Sequence, residues 1–204
     1  MKKLSLICLA ALAPAFAMAN IIPTGTTITG AGPYLWSYNL QLSGDQNAVS
    51  GPAPSTNPVS NLDLTFGSLF TIYDFDGYVA GTCLGATGWE CTAQNVGFTP
   101  SDVGPVDNPG IVNLTWVYTS GPVLSGIPNG LDLGTFSAQS IYDTITTVSY
   151  AGRGIKNVGS QAGSVGDNVG MTQGPGSPIP EPGSLALAGL GLLGLILVGR
   201  RKGA

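Results

Sequence analysis

The chain has 204 residues, of which 43% are hydrophobic and 9% are charged, with 31 glycines, 15 prolines and no histidine. This composition argues against a disordered chain and against a helical bundle. Without histidine, neither a Ser-His-Asp mechanism nor a metal-histidine mechanism is available. Between residues 20 and 179 two basic residues stand against ten acids, so we expect no nucleic-acid partner.

Residues 1–19 have the three parts of an export signal, in order. Lys2 and Lys3 give a positive start, residues 4–13 are apolar, and Ala17-Met18-Ala19 has the small-x-small pattern that signal peptidase reads. Ten apolar residues are too few to span a bilayer, which argues against a retained anchor. We therefore predict a signal peptide cleaved after Ala19, with the Sec machinery and signal peptidase as partners.

Residues 20–158 show the period-two pattern of β-strands, in short runs separated by turn signals. The runs are Trp36 to Leu42, Leu62 to Phe66, Leu69 to Tyr73, a half-buried Val112 to Tyr118, Leu131 to Ala138 and Ile141 to Tyr150. The apolar phase changes at Gly134, which predicts a β-bulge. The pattern predicts an all-β fold, a single antiparallel β-sandwich ectodomain, Ig-like or jelly-roll-like, with a core dominated by aromatic side chains.

Two cysteines remain after removal of the export signal, Cys83 and Cys91. In an oxidising compartment an even pair this close together predicts one disulfide. A metal site is the alternative, but two thiolates alone rarely hold zinc. A catalytic thiol would also lack a histidine partner.

The tetrapeptide Asp74-Phe75-Asp76-Gly77 resembles the start of a calcium loop. An EF-type loop needs a bidentate Glu at its twelfth position, and Gly85 stands there instead. Aspartate and glycine are ordinary turn residues, so we expect a turn between strands. A non-standard Ca²⁺ site near Asp74 and Asp76 stays open.

Catalysis by the domain is not indicated. Its acids are Glu90 and nine aspartates, mostly at predicted turns, which gives no specific sign of a glycosidase pair. Exposed aromatics such as Tyr34, Tyr78 or Trp89 could stack on a carbohydrate, although aromatics in a sandwich more often belong to its core. We expect no enzyme, no cofactor and no metal. A carbohydrate-binding module or small glycan-active enzyme is the alternative.

Residues 159–178 are rich in glycine, serine, glutamine and proline and have almost no charge. This composition is typical of a flexible linker, which would hold the domain away from the membrane. A last, weak strand region followed by a tail is the alternative for its N-terminal side.

Residues 179–204 combine three features. Pro180-Glu181-Pro182 is followed by an apolar run with seven leucines between residues 184 and 198, and then by Arg200-Arg201-Lys202. As a helix, the 17 residues from 183 to 199 would be about 26 Å long, the short limit for a transmembrane span. The positive-inside rule keeps the basic cluster cytoplasmic and places the Pro-Glu-Pro motif on the exported side.

The tail PIPEPGSLALAGLGLLGLILVGRRKGA, residues 178–204, closely resembles the PEP-CTERM sorting domain of exported proteins in Gram-negative bacteria that make extracellular polysaccharide. The resemblance implies recognition of Pro180, Glu181 and Pro182 by an exosortase, a membrane-embedded enzyme. The helix and basic cluster would position the chain transiently in the inner membrane. Delivery to the cell surface or a biofilm matrix would follow, with extracellular polysaccharide as a further partner and a structural or interaction role for the ectodomain. An ordinary tail anchor is the alternative, but it has no need of Pro-Glu-Pro.

Overall fold

A computed structural model describes residues 20–178. Within this range ten strands form two antiparallel sheets, one of three strands and one of seven. The strands are β1 Ile21–Thr29, β2 Tyr34–Leu42, β3 Gln46–Ala48, β4 Leu69–Ile72, β5 Trp89–Gln94, β6 Asn113–Tyr118, β7 Leu124–Ser125, β8 Leu131–Ser140, β9 Ile145–Lys156 and β10 Val165–Pro175. The prediction of an all-β fold with antiparallel sheets is confirmed. Its assignment to an Ig-like or jelly-roll-like type stays a prediction.

The smaller sheet has the order β1-β2-β8 and contains the bulge that the sequence predicts. Alternate residues of β2, beginning with Trp36, are fully buried, as the apolar pattern indicates. The pairing of β2 with β8 shifts between Leu40 and Gln41, which face Gly134 and Asp132. Gly134 has a φ of 92°, a left-handed conformation that glycine adopts without a steric penalty.

The larger sheet has the order β5-β6-β4-β9-β3-β7, and β10 pairs with β9. Every residue of β6 is buried, so the prediction of a half-buried strand is wrong. The outer face of β6 is covered because Val117 packs with Leu69 of β4 and with Val59 of the preceding loop. Thr115 on the same strand shares a hydrogen bond of 2.9 Å with Thr71 of β4.

The two sheets pack on one hydrophobic core that is rich in aromatic rings. Trp116 of β6 and Phe136 of β8 meet edge to face, with ring centroids 5.9 Å apart. Trp89 of β5 meets the same phenylalanine at 5.2 Å. Edge-to-face pairs of this kind add stabilisation beyond the burial of apolar area. The aromatic core that the sequence predicts is therefore present.

The run from Leu62 to Phe66 is not a strand, contrary to the prediction. Leu62 is 89% exposed and Leu64 is 51% exposed. Asp63 accepts a hydrogen bond of 2.9 Å from the backbone N–H of Thr65. Short-range bonds between polar side chains and the backbone compete with strand pairing, and here they hold the segment in a loop.

Residues 165–175 form β10, where the sequence analysis favours a flexible linker. This strand pairs with β9 over its whole length, from Val165 opposite Ile155 to Pro175 opposite Ile145. Glycine recurs along it and is a poor strand former by itself, so its composition resembles that of a linker. The hydrogen-bonded pairing with β9 holds these residues in a strand in spite of their composition. The linker prediction is wrong for these residues, and the alternative of a last strand is correct.

The strand predicted from Ile141 to Tyr150 begins four residues later, at Ile145, and continues to Lys156. Within residues 20–178, no helix is long and apolar enough to cross a membrane. The predicted signal peptide at 1–19 and the predicted transmembrane helix at 183–199 lie outside the described residues.

Candidate functional site

Most of the predicted site residues lie outside the described range. They are the cleavage-site alanines, the Pro-Glu-Pro motif and the basic cluster, namely Ala17, Ala19, Pro180, Glu181, Pro182, Arg200, Arg201 and Lys202. The structure describes the point at which the chain leaves the folded domain towards that motif. The candidate site is therefore the exit of the chain from the domain.

The exit is fixed by backbone hydrogen bonds as far as Ser177. The N–H of Gly176 donates to the carbonyl oxygen of Thr144 at 2.9 Å. The N–H of Ser177 then donates to Asp76 Oδ2 at 3.0 Å. Because successive N–H groups of a strand point in opposite directions, the nitrogen of Pro175 faces away from β9, and its missing proton costs no ladder bond. The domain thus holds its own C-terminal end in place.

An open groove of about 300 Å³ lies beside this exit. One side is formed by the exit segment itself, at Gly176 and Ser177, and by the first residues of β9. Asp74 and Asp76 supply its charged groups. The side chain of Ile145, which is 55% exposed, supplies apolar surface to the groove. The groove therefore combines carboxylates with apolar surface directly where the chain leaves the fold.

The Asp74 turn is held by hydrogen bonds to neighbouring loops. Its backbone N–H donates to Asn113 Oδ1 at 2.8 Å, and its carboxylate accepts the N–H of Asn108 at 2.8 Å. The amide of Asn113 also donates to Asp107 Oδ1 at 2.9 Å. Partial burial raises the pKa of Asp74 and the Asn108 bond opposes the rise, while the carboxylates of Asp107 and Asp76 add to it. The predicted turn is confirmed.

No group of three or more histidine, cysteine, aspartate or glutamate side chains in residues 20–178 is placed to hold a metal ion. Asp74 and Asp76 instead use oxygens as acceptors for the backbone N–H groups of Asn108 and Ser177. The two aspartates thus organise the turn and the exit. The arrangement gives no support to a Ca²⁺ site.

Both basic residues of the range 20–178 lie away from the exit. Arg153 is buried, with its Nε 4.0 Å from Asp167 Oδ1, and donates to the carbonyl oxygen of Asp63 at 2.7 Å. Lys156 ends β9, eleven residues from Ile145, which is about 36 Å along a strand. The surface around the exit therefore has no nearby basic side chain from the described part of the chain to balance its carboxylates.

The Arg153–Asp167 pair lies on one face of the β9–β10 hairpin, near the start of β10. Burial raises the pKa of Asp167 to about 6, and the attraction of Arg153 offsets only part of that rise. Burial also lowers the pKa of Arg153. Both shifts have the sign expected where desolvation outweighs the attraction between two buried charges.

The other face of the same hairpin holds Asn20, the residue that follows the predicted cleavage site. Asn20 is 1% exposed, and its amide donates to the carbonyl oxygen of Gly166. A methyl group on Gly154 would lie 2.4 Å from Asn20 Oδ1. The backbone carbonyl oxygen of Asn20 accepts a hydrogen bond of 2.9 Å from the N–H of Ser43. Glycine in the hairpin thus makes room for the first described residue.

Cys83 and Cys91 form the predicted disulfide, with their Cα atoms 5.9 Å apart. Cys91 lies on β5 of the larger sheet. Cys83 lies in a loop whose next residue, Leu84, bridges to Ser137 of β8 in the smaller sheet. The disulfide therefore ties a loop that reaches one sheet to an edge strand of the other, which is a structural role.

The predicted aromatic surface is not formed by Trp89. This residue is only 6% exposed and packs within the core. Tyr34 and Tyr78 are half-buried and also pack against the core. The core interpretation of these aromatics is therefore the correct one for Trp89, whereas Tyr34 and Tyr78 contribute to the core and are also partly exposed.

Comparison with protein families finds a PEP-CTERM protein-sorting motif at residues 178–202. The match begins one residue after Ser177, at the exit described above. No curated protein and no solved structure matches the chain. The motif supports exosortase-dependent sorting of an exported protein to the cell surface, and the resemblance of the tail is confirmed.

Two features, one at each end of the described domain, escape sequence reasoning. The anchoring of Ser177 by Asp76 joins residues 101 positions apart, and no local pattern predicts that contact. Burial of Asn20 has a weak signal in the recurrent glycines of the last two strands, because glycine within strands often marks a close approach of another segment.

Proposed function

We propose that an exosortase-type membrane enzyme recognises Pro180, Glu181 and Pro182, cuts the chain near them, and thereby delivers the β domain to the cell surface or extracellular matrix. The match to a protein-sorting motif at residues 178–202 carries this proposal. The domain ends immediately before the match, so removal of the tail would leave every described strand intact.

The chemistry of the motif suits recognition by a processing enzyme. Each proline fixes its own φ and disfavours helix in the residue before it, so Pro180-Glu181-Pro182 favours an extended shape that an enzyme groove can bind. The carboxylate of Glu181 offers one charge for a basic pocket. The apolar run and the basic cluster would hold the motif at the exported surface of the inner membrane during the reaction.

The test replaces the three motif residues by alanine in the full chain, in a host that has the sorting enzyme. We expect at least a tenfold loss of the trimmed form, measured by mass spectrometry of the mature C-terminus. Pro178→Ala is the matched control, because it removes a nearby proline and leaves the motif intact. If the surface form of the protein with the unaltered motif still ends in Arg201-Lys202 and the two residues after it, the proposal is contradicted.

Export by the Sec machinery and cleavage after Ala19 complete the proposed route. N-terminal sequencing of the exported protein measures the cleavage position directly. For the ectodomain we propose a structural or interaction role rather than catalysis. A carbohydrate-binding module or small glycan-active enzyme is the alternative, and saturable binding on a glycan array, lost in Tyr78→Ala, would favour it.

A further inference from the structure

The folded domain reaches almost to the sorting motif. Pro180 is three positions after Ser177, and a fully extended chain over three such steps spans at most about 11 Å. A domain of 159 residues has a radius of gyration of about 15 Å. Any enzyme that encloses Pro180 must therefore lie close to the surface around the exit.

That surface is set in position, because Ser177 and Gly176 are bonded to Asp76 and Thr144. We define the exit face as the groove and the residues around it, namely Asp74, Asp76, Thr144, Ile145 and Ser177. An exit held by these two hydrogen bonds presents the same face to whatever binds the motif. A flexible linker would not do so.

We propose that the exit face docks on the exported surface of the sorting enzyme while the motif occupies the enzyme's site. This inference rests on the proposed function and adds a second recognition surface to it. The partner of the exit face is identified by the short length of chain between Ser177 and the motif. This length leaves little room between the domain and the enzyme that holds the motif.

The charge of the exit face favours a protein partner over the lipid surface. Asp74 and Asp76 lie at the groove, whereas Arg153 is buried and Lys156 is at the far end of β9. Anionic lipid headgroups attract basic segments and repel carboxylates. A protein surface with basic and apolar groups complements two carboxylates beside the exposed side chain of Ile145. Contact with lipid is the competing outcome of the test.

The test adds positive charge to the exit face of the full chain, in a host with the sorting enzyme. Thr144→Lys with Ile145→Lys changes two exposed side chains and keeps the backbone bonds of the exit. We expect trimming to slow at least fivefold. The matched control, Leu62→Lys with Val123→Lys, places the same charges on residues that are 89% and 59% exposed elsewhere, and we expect less than a twofold change.

A spacer tests whether the short connection enforces the contact. Ten glycine and serine residues inserted between Ser177 and Pro178 let the domain move away from the enzyme. In the spacer background, we expect the exit-face lysines to slow trimming by less than twofold. Thermal unfolding of each variant checks that it folds, and Thr144→Lys alone replaces the double variant if the latter does not fold.

A photo-crosslinker in place of Ile145 reports the contact directly. We expect an adduct that mass spectrometry identifies as the sorting enzyme, and none from position 62. Trimming unchanged by the exit-face lysines would overturn the docking proposal. Faster trimming would also overturn it and indicate a lipid contact. If the motif alanines abolish trimming in either case, the proposed function stands and only the docking surface fails.

Discussion

The two ends of the described domain are built differently. At the N-terminal end, Asn20 is 1% exposed and sits on the glycines of the β9–β10 hairpin. At the C-terminal end, Ser177 is exposed, and its backbone N–H donates to the side-chain carboxylate of Asp76. One end is part of the core, and the other is a short stem on the surface.

This difference separates the two predicted processing steps in time. A peptidase binds extended residues on both sides of the bond it cuts. The predicted cleavage after Ala19 would therefore precede the docking of Asn20 and Ile21, both of which are buried. The chain beyond Ser177, in contrast, leaves from a surface that is complete, so trimming of the tail is compatible with a folded domain.

The largest expected effect tests the N-terminal end. Gly154→Ala places a methyl group 2.4 Å from Asn20 Oδ1 and 3.0 Å from the backbone oxygen of Asn47. We expect this overpacking to lower the free energy of unfolding by about 3 kcal/mol, measured by urea denaturation of the exported protein. Gly104→Ala is the control, because nothing lies within 4 Å of its added methyl group.

A double variant sharpens that result. If Asn20 is the group that the methyl displaces, Asn20→Gly combined with Gly154→Ala should recover about 1 kcal/mol relative to the sum of the single effects. Strict additivity of the two changes would show that Asn20 does not fill the space above Gly154.

The next effect concerns the other face of the hairpin. The pKa of Asp167 is about 6 in the folded protein, against an ordinary value of 3.8, so the folded state holds this proton more tightly. The contribution of Asp167 to the free energy of unfolding therefore falls as pH rises from about 4 to about 6, by about 2 kcal/mol. Asp167→Asn should remove that fall. Identical pH profiles of the two proteins would contradict the assignment.

A smaller loss is expected from Asn20→Ala. It removes the hydrogen bond that the amide donates to Gly166, and with it the side chain nearest to the space above Gly154. We expect the free energy of unfolding to fall by about 1 kcal/mol, because the net contribution of a hydrogen bond to stability is of that order. No change in the urea midpoint would mean that the amide is not held in the folded protein.

The smallest effect should appear at the C-terminal end. Asp76→Ala removes the acceptor of the Ser177 N–H. Because this hydrogen bond is exposed, we expect the free energy of unfolding to fall by about 0.5 kcal/mol or less, measured by urea denaturation. Hydrogen exchange at Ser177 should nevertheless increase, since its protection depends on that carboxylate. If Asp76→Ala destabilised the protein as much as Gly154→Ala, the contrast between core and stem would not hold.

Strands with strict apolar alternation could be predicted from the sequence, because one face of each is buried. The run from Trp36 to Leu42 is the clearest case, and the phase change at Gly134 predicted a real bulge. The same pattern misled at Leu62 and Leu64, where hydrogen bonds within a loop override it. The all-buried β6 could not be recognised, since a loop distant in sequence covers it.

At the candidate site, the motif itself was readable because all its parts are consecutive in the chain. The position of the exit could not be predicted from the sequence. Its geometry depends on the pairing of β10 with β9, and glycine-rich composition hides that strand from propensity arguments. The disulfide was predictable because only two cysteines remain after the export signal.

The β9–β10 hairpin also sets the distance between the two ends of the described domain. Asn20 lies by Gly166, and Ser177 lies eleven residues further along the hairpin, roughly 35 Å away. In the proposed route, the enzyme that holds the motif would cover the exit face, and the Gly159–Gln161 turn at the opposite end of the hairpin would lie far from that enzyme. Under that proposal, removal of the tail would release the protein and would also expose the exit face to the surrounding matrix.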